Sequence, residues 1–243
     1  MLKRRFRRRN KPEYDGIDLI AYHEKSSINA EQYRALRTNI QFTQLNKQLK
    51  SLLVTSSIPS EGKSTVSANL AFVMAQTTKK ILLIDADLRK PTVHKTFKLN
   101  NEQGLTSLLI NPELNFDDLV QYNEEIKLYL LPSGPIPPNP SELLGSMQMD
   151  VLIEKLEQQF DLIIIDVPPV TAVTDGLILS SRVDGVLLVA RYGYTRKEEV
   201  KKSKDTLEGV DAQILGYVMN RQPISNSANY PAYYEYGVIE TLP

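Results

Sequence analysis

The stretch "SSIPSEGKST", residues 56 to 65, decides the fold. Residues Ser57 to Ser64 fit the phosphate-loop pattern G-x-x-x-x-G-K-[ST], with Ser57 standing where the first glycine would be. That pattern is informative only between a strand and a helix, and this is its setting here. The apolar run "SLLVTSS" (51 to 57) precedes it, and "STVSANLAFVMAQ" (64 to 76) follows with apolar residues at helical spacing. In such a loop the backbone at Ser57, Ser60 and Glu61 supplies successive N–H groups. Gly62 lets the chain pass close to phosphate oxygens, and the helix N-terminus adds positive potential. Lys63 is placed to reach the β and γ phosphates as a point charge, Ser64 to put its hydroxyl on Mg2+, and Thr65 to add a hydroxyl near the α phosphate. A chance Gly-Lys-Ser at a helix start explains the string alone, but not the motifs around it.

Working outward, apolar runs alternate with helix-like stretches. "KILLIDADL", "KLYLLPSG", "FDLIIIDVPP", "DGVLLVARYG" and "AQILGYVMNRQ" read as strands apolar on both faces. "SELLGSMQMDVLIEKLEQQF" (141 to 160) reads as one helix begun by a capping serine, and "TRKEEVKKSKDTLEG" as another ended by glycine. Such alternation predicts a doubly wound α/β domain with a mostly parallel sheet between helical layers. The expected organisation is a basic arm over 1–25, one domain over 26–221, and a polar tail over 222–243.

Two strand ends carry carboxylates. "ILLIDADLRKP" places Asp85 and Asp87, and "LIIIDVPP" places Asp166, at the carboxyl ends of strands, where open α/β sheets bind ligands. Each aspartate alone reads as a turn residue or cap. Together with the phosphate loop they predict ATP with Mg2+. Asp85 is placed as general base or as ligand to a metal-bound water, while Asp87 and Asp166, with Ser64, are the metal-site candidates.

Composition narrows the remaining classes. Without cysteine the chain makes no disulfide or thiolate metal site, and two histidines argue against a histidine metal centre. A formal net charge of zero gives no whole-molecule field for nucleic acid. No apolar run approaches the roughly 18 residues of a membrane span. "KRRFRRR" (3 to 9) leads into "NKPEYDGID" and not into an apolar segment, so a secretory signal is not expected. The seven Lys and Arg within residues 3 to 11 leave two readings open, a solvated arm and a contact to an anionic leaflet.

A phosphate loop, then "DADLR", then "IIIDVPP", resembles the Walker A, Walker A′ and Walker B set of the bacterial tyrosine kinases (BY-kinases). These are similar in fold to the MinD/ParA class of P-loop ATPases. "EQYRALR" (31 to 37) matches the family's E-x-x-R-x-x-R motif through Glu31, Arg34 and Arg37. "YPAYYEYG" (230 to 237) resembles its C-terminal tyrosine cluster through Tyr230, Tyr233, Tyr234 and Tyr236. The similarity is to the stand-alone cytoplasmic CpsD/CapB type, and it covers the chain from about residue 25 onward.

The resemblance implies an ATP-dependent tyrosine autokinase for capsular or exopolysaccharide synthesis and export. It implies Lys63, Asp85 and Asp87 as catalytic residues, with Asp85 taking the tyrosine proton, and Asn220 at the adenine. It implies a ring of copies joined through Glu31, Arg34 and Arg37, in which one copy's tail tyrosines meet a neighbour's ATP. A tail of about twenty residues reaches on the order of 25 Å as a flexible chain, enough for that crossing. The implied partners are the chain itself, a separate membrane-spanning activator of the polysaccharide co-polymerase type, and a cognate phosphotyrosine phosphatase. The implied place is the cytoplasm, at the inner face of the membrane. Read from residues alone, Glu31, Arg34 and Arg37 are also an ordinary ion-paired helix surface sharing one broad face. Arg89 suits a phosphate or tail contact or a structural ion pair equally. Two rivals remain: a MinD/ParA-type positioning ATPase, disfavoured because Ile58 occupies the signature-lysine position, and a nucleotide-gated scaffold, disfavoured by the intact acidic set.

Overall fold

Strand formation follows from the runs of β-branched and leucine residues, whose side chains fill both faces of a pleated surface. The computed structural model describes residues 16–43, 48–77 and 79–223. Strands β1 (Ser51–Ser56), β2 (Ile81–Asp85) and β5 (Leu162–Asp166) are buried at every position. With β3 (Gln121–Asn123), β4 (Leu128–Leu131), β6 (Gly185–Arg191) and β7 (Ile214–Asn220) they form one sheet of order β3-β4-β2-β5-β1-β6-β7. Only the β3–β4 pairing is antiparallel. The expected doubly wound, mostly parallel sheet is therefore present, with an antiparallel edge strand added.

Alternation along each strand divides the core. Leu53, Ile84, Ile163 and Leu188 face one side, where α5 (Leu105–Ile110), α6 (Pro140–Leu144), α7 (Met147–Gln159), α8 (Asp175–Ser180) and α9 (Lys197–Glu208) pack. Leu52, Val54, Leu83 and Ile164 face the other, against α3 (Lys63–Ala75). Every α3 residue from Val66 to Ala75 is buried, because α1 (Ile20–His23) and α2 (Ile28–Thr43) cover its outer side. The short α4 (Val93–Phe97) follows β2. No described helix is long and apolar enough to cross a membrane.

Two expectations need correction. The helix expected over 141–160 is two helices, α6 and α7, parted at Gly145 and Ser146. The Arg182 guanidinium donates to the carbonyls of Leu144, Gly145 and Ser146, satisfying groups that a continuous helix would have bonded internally. The expected arm over 1–25 is anchored in its last part. Ile17 donates to Thr96 Oγ1, Ala21 donates to Asn69 Oδ1, and Leu19 and Ala21 are buried against α3. Residues 1–15 lie outside the described residues.

Candidate active site

The strand order brings the three acid-bearing ends together. β5 lies between β1 and β2, and Asp85 stands opposite Asp166 in the β2–β5 register. The loop after β1 therefore arches over both carboxylates at the point where the strand order reverses.

Gly62 closes that loop as the residue before α3, with φ at +91°. A Cβ there would sit 2.1 Å from Asn220 Nδ2, so both conformation and space require glycine. Asn220 Nδ2 donates to the Glu61 carbonyl at 2.9 Å. Thr171 Oγ1 donates to the Ser57 carbonyl at 2.5 Å, and Ser57 Oγ is buried with no hydrogen-bond partner among the described residues. Ser60, exposed at φ +68°, forms the loop's outer tip. Glu61 turns its carboxylate inward, accepting from Ile58 N at 2.8 Å and from Thr195 Oγ1. Its part in a phosphate site is thus carried by backbone.

Lys63 lies folded back onto the acids. Its Nζ is 2.7 Å from Asp87 Oδ2, 3.3 Å from Asp166 Oδ2 and 3.1 Å from Ser64 Oγ. Burial pulls the ammonium down, but Asp166 and Asp87, with Asp85 behind them, outweigh it and hold its pKa above the ordinary lysine value. Asp166 is held above the usual carboxylate range by burial and by Asp87, against the opposing pull of Lys63, Ser64 and Ser67. Ser67, one helical turn after Lys63, donates to Asp166 Oδ1 at 3.0 Å. Ser67 belongs to none of the sequence motifs, and its one signal is a hydroxyl four residues beyond the loop lysine.

Asp85 is fully buried. Its Oδ2 accepts from Thr92 N and Val93 N, both at 2.9 Å, and its Oδ1 from Asp87 N at 3.3 Å. Burial first, then the Asp166 charge, push its pKa up to about 7, overcoming the N–H groups and Lys63. It therefore both ties the 85–93 turn together and keeps a proton affinity near neutrality.

The cluster has the donor chemistry of a divalent cation site. The Lys63 ammonium stands among hard oxygens of Asp87, Asp166 and Ser64, the set that suits Mg2+ shared with nucleotide phosphates and water. Among the described residues no group of three or more acidic or histidine side chains forms a metal cage by itself.

Beside the loop, a cleft of about 930 Å³ runs between α2 and β7, the last strand of the described sheet, and is lined by Thr65, Gln32, Tyr33, Asn220 and Arg221. Burial and the Asp18 charge push the Tyr33 phenol up to about 12. Thr65, beside the loop lysine, is part of its lining, and the cleft has room for a base and sugar. The Asn220 amide borders it but spends its N–H on Glu61.

Arg89 resolves to a structural ion pair. Its Nε and Nη2 grip Asp175 at 2.8 and 3.0 Å, and Ser141 Oγ donates to the same carboxylate at 2.6 Å. Glu31, Arg34 and Arg37 do not share one face. Arg34 pairs with Glu31 at 2.5 Å, whereas Arg37 lies about 120° round the helix from Glu31 and donates to the Val73 carbonyl at 2.8 Å. Tyr230, Tyr233, Tyr234 and Tyr236 lie outside the described residues.

Comparison with known proteins adds an independent line. A family model described as an AAA domain matches residues 60–214. The tyrosine-protein kinase YwqD of Bacillus subtilis (strain 168) is 46% identical over 226 residues, covering 93% of this chain and 95% of that protein. The crystal structure of the chimerical protein CapA2B2 is 40% identical with a TM-score of 0.80, over 88% of this chain and 95% of that one. The cell division ATPase MinD of Pyrococcus furiosus, 24% identical with a TM-score of 0.62 over 73% of this chain and 74% of its own, shares the fold.

Proposed function

The chain belongs to the bacterial tyrosine-protein kinases, and we propose that it phosphorylates its own C-terminal tyrosines from one copy to the next in a ring. It is a protein-tyrosine kinase built on a P-loop ATPase fold of the MinD/ParA class. The observation that carries the mechanism is the gathering of Lys63, Asp85, Asp87 and Asp166 under the phosphate loop.

In the proposed reaction Lys63 leaves Asp87 and Asp166 for the β and γ phosphates of ATP, and α3 points its N-terminus at the same groups. Mg2+, when bound, supplies charge neutralisation on the phosphate oxygens; Ser64, Asp87 and Asp166 would hold it, directly or through water. The tyrosine oxygen bonds to the γ phosphorus, the bond from that phosphorus to the bridging oxygen breaks, and ADP leaves. Asp85 takes the phenolic proton. Three backbone N–H groups fix its carboxylate and leave a lone-pair site on Oδ1 for that proton. A pKa of about 7 suits a base that must accept and release within the physiological range.

Tyr230, Tyr233, Tyr234 and Tyr236 are the acceptors in this reading, supported by four tyrosines within seven positions near the chain end. Glu31, exposed on α2, and the half-buried Arg34 paired with it suit a contact between copies. Arg37, already bonded to α3, would instead fix how α2 is presented. Phosphate on the tail adds roughly two negative charges per tyrosine and weakens its fit beside the acidic cluster, loosening the ring. The pathway is capsular or exopolysaccharide synthesis and export. The kinase works at the inner face of the membrane, recruited by a separate membrane-spanning activator with the basic arm as a second contact, and a phosphotyrosine phosphatase resets it.

The test is incubation of purified chain with ATP and Mg2+, with and without candidate activator segments, followed by mass-spectrometric mapping of phosphotyrosine. Phosphate on the four tail tyrosines is expected. ATP hydrolysis with no phosphotyrosine anywhere would return the chain to the positioning-ATPase reading.

A further inference from the structure

We infer that Glu61 is a positioning residue, whose buried carboxylate sets the shape of the phosphate loop and ties it to the loop that follows β6. The inference rests on ATP binding at the phosphate loop, though not on which tyrosine receives the phosphate.

Glu61 is fully buried within a loop whose work is to bind an anion, an expensive place for a carboxylate unless its oxygens are bonded. Both are. Oε2 accepts the Ile58 N–H at 2.8 Å, and Oε1 accepts the Thr195 hydroxyl, which in turn accepts the Arg191 N–H at 2.7 Å. The first bond spans three residues and closes the loop on itself. It also turns the Ile58 amide inward, so the side chain of Glu61 decides which loop N–H groups face a phosphate.

The same residue is held through its main chain. Its carbonyl accepts from Asn220 Nδ2 at 2.9 Å, and the Asn220 carbonyl accepts from Tyr192 N at 2.9 Å. Glu61 thus joins the phosphate loop to the 191–195 loop by two routes, through Thr195 and through Asn220. Gly62 follows directly, in the left-handed conformation that aims the next N–H groups. A shift at Glu61 is therefore a shift of the phosphate cradle. None of this requires the carboxylate to touch ATP, and its inward direction places it away from the ligand side.

A positioning role has a specific pattern. Glutamine at 61 can accept from Ile58 N with its oxygen and donate to Thr195 Oγ with its nitrogen, preserving the shape without the charge. Alanine loses both bonds. The experiment measures binding of a fluorescent ATP analogue with Mg2+, together with KM for ATP and kcat, in Glu61→Ala, Glu61→Gln, Thr195→Val, Thr195→Ser and Glu61→Ala/Thr195→Val. Glu61→Ala is expected to weaken nucleotide binding and raise KM by about tenfold or more, the scale of a lost bond to a charged group, with a smaller change in kcat. Glu61→Gln and Thr195→Ser should stay near wild type. Thr195→Val should shift KM in the same direction, and the double variant should be no worse than Glu61→Ala, since both cut one chain of contacts.

Wild-type nucleotide affinity in Glu61→Ala overturns the inference. So does a Glu61→Gln variant as impaired as Ala, which would make the charge and not the shape the active element. If Glu61→Ala does not fold, Thr195→Val decides, and unchanged affinity there overturns the inference as well. A protein that binds the analogue as expected but phosphorylates no tyrosine would sink the kinase reading while leaving this one standing.

Discussion

Replacing Lys63 with methionine removes the cation that, among the described residues, touches both Asp87 and Asp166, at 2.7 and 3.3 Å, and takes from Asp85 a positive charge that lowers its pKa. The side chains of Lys63, Asp87 and Asp166 are 12%, 8% and 0% exposed, so water compensates little. Breaking a buried pair of this kind costs about 3 to 5 kcal/mol. The lower end applies here, because the acids can escape the cost by taking up protons. Asp85 already titrates near 7 and Asp166 is raised, and Lys63 is among the groups that lower both. Without it both move further up. A carboxyl whose folded pKa lies above its unfolded value contributes stability at low pH that is lost as pH rises. The deficit of Lys63→Met should therefore be widest in alkali, about 3 kcal/mol near pH 8. It should narrow on acidification by up to roughly 1.4 kcal/mol between pH 8 and pH 7, one proton over one pH unit, as Asp85 takes up its proton earlier in the variant, with the raised Asp166 acting in the same direction. Urea unfolding followed by circular dichroism reads this as a midpoint shift of about 1 M near pH 8 for a slope of about 3 kcal/mol per M. Equal midpoints near pH 8, or a deficit that grows towards pH 5.5, would refute the reasoning.

The other predictions concern groups around this cluster. Wild-type stability should fall as pH rises between about 4 and 7 because folded Asp85 holds its proton up to about 7. Asp85→Asn should flatten that fall by about 1.4 kcal/mol per pH unit, and parallel stability–pH curves would contradict it. Gly62→Ala forces a Cβ to within 2.1 Å of Asn220 Nδ2 at φ +91°, a cost of about 1–3 kcal/mol. It should also abolish the rise in melting temperature that ATP and Mg2+ give the wild type, and an unchanged rise would count against the loop geometry. Arg89→Lys should lose about 1–3 kcal/mol by urea unfolding, because an ammonium cannot make the two parallel bonds to Asp175; full stability would reduce the clamp to a surface pair.

What the sequence disclosed follows from how local the signals are. The strand–loop–helix around Gly62 and the apolar strands ending in Asp85 and Asp166 were legible because period, turn chemistry and motif agree within a few residues. The break at Gly145 was not, since what makes it tolerable is Arg182, distant in sequence. The same holds for Arg37, whose partner is a carbonyl on α3, and for Glu61, whose carboxylate finds Thr195 in the loop after the neighbouring strand β6. Asn220 shows the same limit: its expected place at the adenine rests on resemblance alone, and its bond to the Glu61 carbonyl, 159 residues away, has no local signal. Strand β3 has three residues, too few for alternation to announce it.

Transfer between copies is tested most directly by mixing two crippled chains. One carries Lys63→Met with its tyrosines intact, and the other ends at residue 223 with Lys63 in place. With ATP and Mg2+, the mixture should acquire phosphotyrosine on Tyr230, Tyr233, Tyr234 or Tyr236 of the Lys63→Met chain, while neither chain alone does. A mixture that stays unlabelled, when full-length wild type labels itself under the same conditions, would contradict phosphorylation from one copy to the next.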